Sequence, residues 1–183
     1  MGKKYAIDLD PERCVACGAC AVACMDQNDI EPEGPMDMFR KITTVEKGAG
    51  MEAKFIYLSL ACMHCSNAPC IPACPCGCIS KDPDTGFTVY DNTACIGCRS
   101  CSMACPFSAP IYAADGRMHK CDGCNTRVKM GLEPACVRVC PFDALSLTER
   151  VEAPEKHMKT TVAVIAEEIV RSRQINVRRE SEF

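Results

Sequence analysis

The chain has 183 residues, a formal net charge of −3 and 18 cysteines, so close to one residue in ten is a cysteine. Cysteine at this density serves disulfides in small secreted domains, structural zinc sites or iron–sulfur clusters. The N-terminal segment has no apolar core of a signal peptide, and no run approaches the roughly 18 apolar residues that span a bilayer. We therefore expect a cytoplasmic protein, with export alongside a signal-bearing partner subunit as the alternative.

The cysteines fall into four groups, and the first is a compact run near the N-terminus. A strand is predicted over residues 5–9, where apolar and β-branched residues are concentrated. Small residues between the cysteines suit a tight loop that leads into a short helix over residues 19–25. The run has the C-x2-C-x2-C-x3-C spacing of bacterial ferredoxins. Its members are Cys14, Cys17, Cys20 and Cys24.

A predicted loop insertion over residues 31–54 separates the first two groups. Two prolines and three glycines interrupt it, namely Pro32, Gly34, Pro35, Gly48 and Gly50. One strand is predicted within it, over residues 39–45. This composition is compatible with a plain connection and with a docking surface.

The second and third groups are separated by a predicted hairpin over residues 79–90, in which turn residues divide two strand-like pieces. A strand over residues 55–60 is expected to precede the second group. That group has one widened gap and two extra cysteines, and its members are Cys62, Cys65, Cys70, Cys74, Cys76 and Cys78. The third group repeats the spacing of the first with Cys95, Cys98, Cys101 and Cys105.

The fourth group has its third gap widened further and is followed by a strand predicted over residues 144–147. Its members are Cys121, Cys124, Cys136 and Cys140. Beyond residue 149 the cysteines stop, and apolar residues recur at helical spacing with acidic residues early and arginines late. An amphipathic C-terminal helix is therefore predicted over residues 155–174.

The spacing of each group indicates how its thiolates would bind a cubane cluster. Three thiolates of one tight loop reach three iron corners, while the following helix carries the fourth cysteine to another cluster. Groups must then act in pairs, and sixteen cysteines hold four clusters. A proline after Cys74, Cys105 and Cys140 ends the short helix and turns that cysteine away, whereas Met25 follows Cys24. Zinc and disulfides, the alternatives, do not explain a triplet repeated in this way.

Several residues outside the sixteen are expected to lie beside the clusters. Cys76 and Cys78 are predicted to be small buried residues, with ligand exchange or redox sensing as alternatives. His64 is predicted to hydrogen-bond a cluster sulfur or to be structural, rather than to bind iron. Because clusters with thiolate ligands add negative charge, nearby cations are expected, and the candidates are Arg99, Lys120, Arg127 and Arg138.

With these residues in view, the chain resembles the four-cluster iron–sulfur subunits of molybdopterin and tungstopterin oxidoreductases, the family of dimethyl sulfoxide reductase, polysulfide reductase and formate dehydrogenase electron-transfer subunits. The resemblance covers residues 3–149 and rests on CMHCSNAPC at 62–70, DGRMHKCDGC at 115–124 and GLEPACVRVCP at 131–141. It implies an α+β fold of two ferredoxin-like units, one inserted in the other, with short β-hairpins and short helices around the clusters. The outer unit would comprise residues 1–30 and 115–150, and the inner unit residues 55–114.

The resemblance also implies which cysteines share a [4Fe–4S] cluster, since in that family the first group pairs with the fourth and the second with the third. Carried over, the ligand sets are site 1 (Cys14, Cys17, Cys20, Cys140), site 2 (Cys121, Cys124, Cys136, Cys24), site 3 (Cys62, Cys65, Cys70, Cys105) and site 4 (Cys95, Cys98, Cys101, Cys74). Cys76 and Cys78 depart from the Thr and Ala usual in the family, without changing the ligand count.

The function implied is electron transfer by a non-catalytic subunit that exchanges electrons with a molybdenum- or tungsten-pterin catalytic subunit. A further redox subunit, such as a hydrogenase, a flavoprotein or a membrane quinone subunit, is a second expected partner, and no nucleic acid is expected. The alternative is a filament-forming polyferredoxin scaffold whose C-terminal helix links copies of a formate dehydrogenase, hydrogenase or tungsten aldehyde oxidoreductase complex. A free enzyme or a redox sensor that uses Cys76 and Cys78 is a third hypothesis.

Overall fold

The computed structural model describes residues 4–48 and 53–150, and within them the protein forms short strands and short helices. The elements in chain order are β1 (Tyr5–Leu9), α1 (Ala19–Gln27), β2 (Lys41–Lys47), β3 (Lys54–Leu60), β4 (Ile79–Lys81), β5 (Thr88–Tyr90), α2 (Ser100–Ala104), β6 (Ile111–Tyr112), β7 (Met118–His119), α3 (Asn125–Lys129), α4 (Ala135–Arg138) and β8 (Leu145–Glu149). The helix predicted over residues 155–174 lies outside the described residues. Within those residues, no helix is both long enough and apolar enough to cross a bilayer.

The strands form two-stranded antiparallel sheets, of which one joins the two ends of the described region. β1 pairs with β8, so that Tyr5 lies opposite Glu149 and Leu9 opposite Leu145. The other pairs, β2–β3, β4–β5 and β6–β7, join strands that are neighbours in sequence. Helices α1 and α4 also pack together, which brings the first cysteine group beside the fourth. All other elements therefore lie, in sequence, between two partners that meet in space.

The segment predicted as a loop insertion contains the one strand expected within it, shifted along the chain. β2 begins two residues later than predicted and pairs with β3 along its full length, from Lys41 opposite Leu60 to Lys47 opposite Lys54. Most of β2 is exposed, whereas the end of β3 is buried at Leu58 and Ser59. The two strands therefore pack onto the remaining elements through one end only.

The apolar core consists of small clusters, and each contains cysteines. One joins Cys70 and Cys101 to Ile79 and Met118. A second joins Cys20 and Cys136 to Val137 and Leu145. A third joins Cys24 and Cys121 to Ile30 and Phe39. Because cysteines occupy so much of the core, the aliphatic side chains do not form one continuous interior, and whatever the thiols bind contributes to stability.

Candidate metal centres

One cavity gathers cysteines from distant parts of the sequence. It is lined by Cys14, Cys17 and Cys20 of the first group and Cys140 of the fourth, the four residues of site 1. The β1–β8 pairing and the contact between α1 and α4 bring the first and fourth cysteine groups together at this cavity. Leu9, Ile42 and Leu145 line the remainder of the wall and make it apolar.

A second cavity contains the four cysteines of site 4. Cys95, Cys98 and Cys101 of the third group face Cys74 of the second group across it. The two extra cysteines line the same cavity, where Cys78 is buried and Cys76 is partly exposed. Arg99, Tyr112 and Met118 complete its wall.

The cysteines of sites 2 and 3 are recognised as neighbours by their mutual effect on thiol pKa values. Burial, and then the charge of Cys136 and Cys124, raises the pKa of Cys24 to about 12. In the same way, burial and then Cys62 raise the pKa values of Cys65 and Cys70, and Cys105 raises both further. These cysteines are members of the sets expected for site 2 and site 3. The remaining member of site 2, Cys121, has its thiol pKa raised by burial, then by the charge of Cys62 of site 3, and then by Cys24 and Cys136.

Such grouped thiols suit an iron–sulfur cluster. Buried thiols that raise one another's pKa remain protonated near neutral pH unless a cation stabilises the thiolates. An iron core supplies that positive charge, and thiolate sulfur is its usual protein ligand. Among the described residues, no three His, Cys, Asp or Glu side chains converge on one point as ligands of a single ion; at sites 1 and 4 the thiols line a cavity instead.

The fourth cysteine of three groups accepts a hydrogen bond from the residue four positions later. Backbone N–H groups donate to Cys74 Sγ from Cys78 (3.3 Å), to Cys105 Sγ from Ala109 (3.5 Å) and to Cys140 Sγ from Ala144 (3.3 Å). Each of these three cysteines is followed by a proline that turns the backbone toward the sulfur. Hydrogen bonds to ligand sulfur stabilise its negative charge.

The first group lacks that proline, and the sulfur of its fourth cysteine, Cys24, receives a hydrogen bond from a side chain instead of from the backbone. Because α1 continues past Cys24, the backbone N–H of Asn28 is bonded to Met25 O. The side-chain amide of Asn28 donates to Cys24 instead, at 3.6 Å to Sγ and 2.7 Å to the carbonyl oxygen. Asn28 was not identified from the sequence, although its position four residues after the cysteine is a usable signal.

His64 connects two of the sites. It is 3% exposed, and its Nδ1 accepts the backbone N–H of Thr88 at 3.0 Å. In a neutral imidazole the other nitrogen then carries the proton. That nitrogen, Nε2, lies 3.7 Å from Cys121 Sγ of site 2, although His64 itself stands between two cysteines of site 3. The hydrogen-bonding role expected for His64 therefore matches its position.

The cations beside the cysteines include the four that were expected and one that was not, Arg40. Lys120 is 1% exposed and donates to the carbonyl oxygens of Thr88 and Cys121, and Arg99 lies 5.1 Å from the Tyr112 ring at the edge of site 4. Arg127 bonds Glu133 and Gln27, while Arg138 is exposed. The most enclosed arginine of the described residues, Arg40, was not identified from the sequence because it lies far in sequence from any cysteine.

A cysteine-rich core, thiols gathered around cavities and N–H groups directed at sulfur are the features of an iron–sulfur protein. Residues 53–150 match the family model of the 4Fe-4S dicluster domain. The probable anaerobic dimethyl sulfoxide reductase subunit YnfG of Escherichia coli (strain K12) is 41% identical over 91% of this chain and 82% of its own length.

Two further relatives agree with this result. The B subunit of the anaerobic dimethyl sulfoxide reductase of Escherichia coli (strain K12) is 40% identical over 86% of this chain and 79% of its own. The thiosulfate reductase electron transfer subunit PhsB of Salmonella typhi is 35% identical over 100% of this chain and 95% of its own. This protein therefore belongs to the family of 4Fe-4S iron–sulfur subunits of molybdoenzymes, and it is a non-catalytic electron-transfer subunit. These relatives give no support to the filament-scaffold alternative.

Proposed function

We propose that the protein conducts electrons through four [4Fe–4S] clusters, bound at sites 1 to 4, to or from a molybdenum- or tungsten-pterin catalytic subunit. The observation that carries this proposal is that cysteines of distant groups come together. At sites 1 and 4, the remote cysteine and its three expected partners line one cavity. At sites 2 and 3, the remote cysteine (Cys24 or Cys105) raises the thiol pKa of expected partners, although Cys62 of site 3 also raises the pKa of Cys121 of site 2.

The proposal includes the nested arrangement of two ferredoxin-like units. Its support is topological, since β1–β8 and α1–α4 join the ends of the described region and enclose, in sequence, residues 55–114. Sites 1 and 2 draw on residues 14–24 and 121–140, whereas sites 3 and 4 draw only on residues 62–105. The outer and inner units therefore share no cysteine ligand.

The cluster, when bound, supplies the one-electron chemistry. The protein's own residues hold its thiolate ligands, exclude water and place N–H groups against sulfur. Apolar walls such as those formed by Leu9 and Leu145 at site 1 keep the surroundings at low dielectric, in which each hydrogen bond or charge has a larger effect on potential.

The partner subunit is proposed from the relatives, whose names describe subunits of dimethyl sulfoxide and thiosulfate reductases. Exposed apolar side chains accompany three of the cysteine groups and support the presence of covering subunits. They are Val15 and Val22 in the first group, Ile96 and Met103 in the third, and Met130, Leu132, Val139 and Phe142 in the fourth.

Metal analysis of the anaerobically purified protein tests the proposal. We expect about sixteen iron and about sixteen acid-labile sulfide per chain. Cys17→Ser, in site 1, should remove or convert one cluster, while Cys98→Ser should do so at site 4 and leave site 1 intact. A folded protein with about eight iron, or with zinc in place of iron, contradicts four clusters. Subunits that co-purify from the native source identify the catalytic partner.

A further inference from the structure

Arg40 is a buried cation without a carboxylate partner among the described residues. It is 4% exposed and stands immediately before β2. Its Nη1 donates to Ser59 through both the carbonyl oxygen (3.0 Å) and Oγ (3.1 Å). None of the ion pairs found within residues 4–48 and 53–150 includes it. A buried charge is costly unless something of opposite sign lies close to it.

The neighbours of Arg40 place it between site 1 and site 2. Phe39 packs in the apolar cluster with Cys24 and Cys121, both of site 2. Ile42 packs with Cys20 and Cys140 of site 1. The Oγ of Ser59, which accepts from the arginine, lies 3.2 Å from Cys20 Sγ. The end of the β2–β3 pair is thus inserted where the two sites approach each other.

The groups near Arg40 that carry negative charge when they are thiolates are cysteines of sites 1 and 2. Burial by itself acts to lower the pKa of Arg40, but Cys136, Cys121, Cys20 and Cys24 act in the opposite direction and raise it. In addition, its Nε is buried and has no hydrogen-bond acceptor among protein atoms. An unsatisfied buried N–H costs free energy comparable to a lost hydrogen bond, so this atom points to an acceptor that the polypeptide does not supply.

We propose that Arg40 is the shared counter-cation of sites 1 and 2, and that its charge raises the reduction potentials of both bound clusters. The inference rests on the ligand sets proposed above. A cluster with four thiolates carries net negative charge, and one-electron reduction by an external donor adds one more without any bond change. A fixed positive charge in a low-dielectric interior stabilises the reduced form more than the oxidised form.

This role also gives the inserted segment a purpose that is neither plain connection nor docking. Arg40 belongs to the inserted segment, and the pairing of β2 with β3 brings it beside Ser59 and so beside Cys20. Within the part of the chain that the structure describes, Lys120 is the other buried cation near cysteines, but it donates to the carbonyl oxygens of Thr88 and Cys121.

The test compares three variants of the full-length protein with all clusters loaded anaerobically. Arg40→Met removes the buried charge and keeps much of the side-chain volume. Arg40→Lys keeps the charge and changes the shape. Lys41→Met removes an equal charge one position along, where the side chain is 52% exposed and paired with Asp37. Iron content is measured first, and the midpoint potentials then follow from redox titration monitored by electron paramagnetic resonance.

We expect Arg40→Met to lower the potentials of two clusters and leave the other two unchanged. A tenfold change in the equilibrium constant for reduction corresponds to about 59 mV for a one-electron couple, and a shift of this order is expected. Arg40→Lys should retain most of the native potentials, and Lys41→Met all of them, because solvent screens that charge.

The other possible results for the two Arg40 variants either support or overturn the counter-cation role of Arg40. If Arg40→Met loses iron while Arg40→Lys keeps it, the charge is needed to hold the clusters and the proposal stands. Unchanged potentials in an iron-replete Arg40→Met protein overturn it, as do equal shifts at all four clusters or loss of iron in both arginine variants. The iron content of the unaltered protein separately tests the number of clusters, so failure of that assignment is distinguishable.

Discussion

The backbone N–H of Cys78 donates to the sulfur of Cys74, so the residue at position 78 assists site 4 through a group that any residue except proline possesses. Its own thiol is buried. Cys74, with the proline after it, is the cysteine of this segment that the repeated spacing makes a ligand, so we expect the thiol of Cys78 not to bind iron. Cys76 lines the same cavity but is partly exposed.

We predict that Cys76→Ala and Cys78→Ala, singly or together, leave the iron content unchanged. Alanine keeps the N–H at position 78 and fits the space of a cysteine. Cys74→Ala, by contrast, should damage the cluster at site 4 because it removes a ligand. Iron and sulfide analysis of matched preparations measures both effects. Loss of a whole cluster in either extra-cysteine variant would contradict the ligand set of site 4.

His64→Asn should lower the midpoint potential of the cluster at site 2. Asparagine tolerates the left-handed backbone of this position, where φ is 45°. Its side-chain oxygen offers an acceptor for the Thr88 N–H, but the variant loses the donor that lies beside Cys121 Sγ. Hydrogen bonds to cluster sulfur raise potentials, and a fall of about 59 mV or less is expected, up to tenfold in the reduction equilibrium.

His119 provides the control for that experiment, because it is a partly buried histidine that contacts Asn92 and Tyr90 rather than a cysteine sulfur. His119→Asn should leave the site 2 potential unchanged. An iron-replete His64→Asn protein with native potentials at all clusters would show that the contact with Cys121 has no electronic role.

Among the elements, the loop before α3 packs directly on the residue that precedes β5. Phe87 is fully buried, and its ring centroid lies 4.6 Å from that of His64. A Cβ added at Gly123 would meet the Phe87 ring at 2.6 to 2.8 Å, and the φ of Gly123 is +78°. The absence of a side chain at this position therefore allows the loop that carries Cys121 and Cys124 to approach the β4–β5 hairpin.

Gly123→Ala should lower the temperature at which the clusters are lost, and by more than Gly131→Ala does. Both positions have nearly the same positive φ, +78° and +77°, but a Cβ at Gly131 meets nothing within 4 Å. Backbone strain of about 1–2 kcal/mol is common to both, and overpacking adds about 1–3 kcal/mol only at Gly123. Visible absorbance during heating measures the difference. If both variants lower that temperature equally, the Phe87 ring moves aside from the added Cβ without cost.

Elements with a local signal were predictable from the sequence. β1, the β4–β5 hairpin, β8 and the start of α1 lie where apolar runs, turn residues or small residues indicated them. β6 and β7 were missed because two-residue strands have no periodicity. The roles of Asn28 and Arg40 were missed for different reasons. The side chain of Asn28 takes the place of the backbone N–H that donates to sulfur in the other three groups. The burial of Arg40 depends on where the β2–β3 pair packs, which no local sequence pattern indicates.

For the whole molecule, we predict that deletion of residues 155–183 leaves all four clusters in place and weakens association with a partner or with further copies of the protein. Every predicted ligand lies before residue 141, and an amphipathic helix needs an apolar surface to cover it. Iron content and native mass, determined on the same truncated preparation, measure the two effects. Lost iron with unchanged assembly would instead show that this segment stabilises its own subunit.

The pairing of β1 with β8 has a consequence for biosynthesis. A nascent polypeptide emerges from the ribosome N-terminus first, so the ligands proposed for sites 3 and 4 are all available once residue 105 has appeared. At that stage the thiols of Cys14, Cys17 and Cys20 still await Cys140, and Cys24 awaits the three other ligands of site 2. On the proposed ligand sets, we expect sites 3 and 4 to be loaded by the cell's cluster-delivery machinery while the thiols of sites 1 and 2 remain open to oxidation. Translation must reach Cys140 before site 1 has all its proposed ligands, and it must reach β8 before β1 has its partner strand.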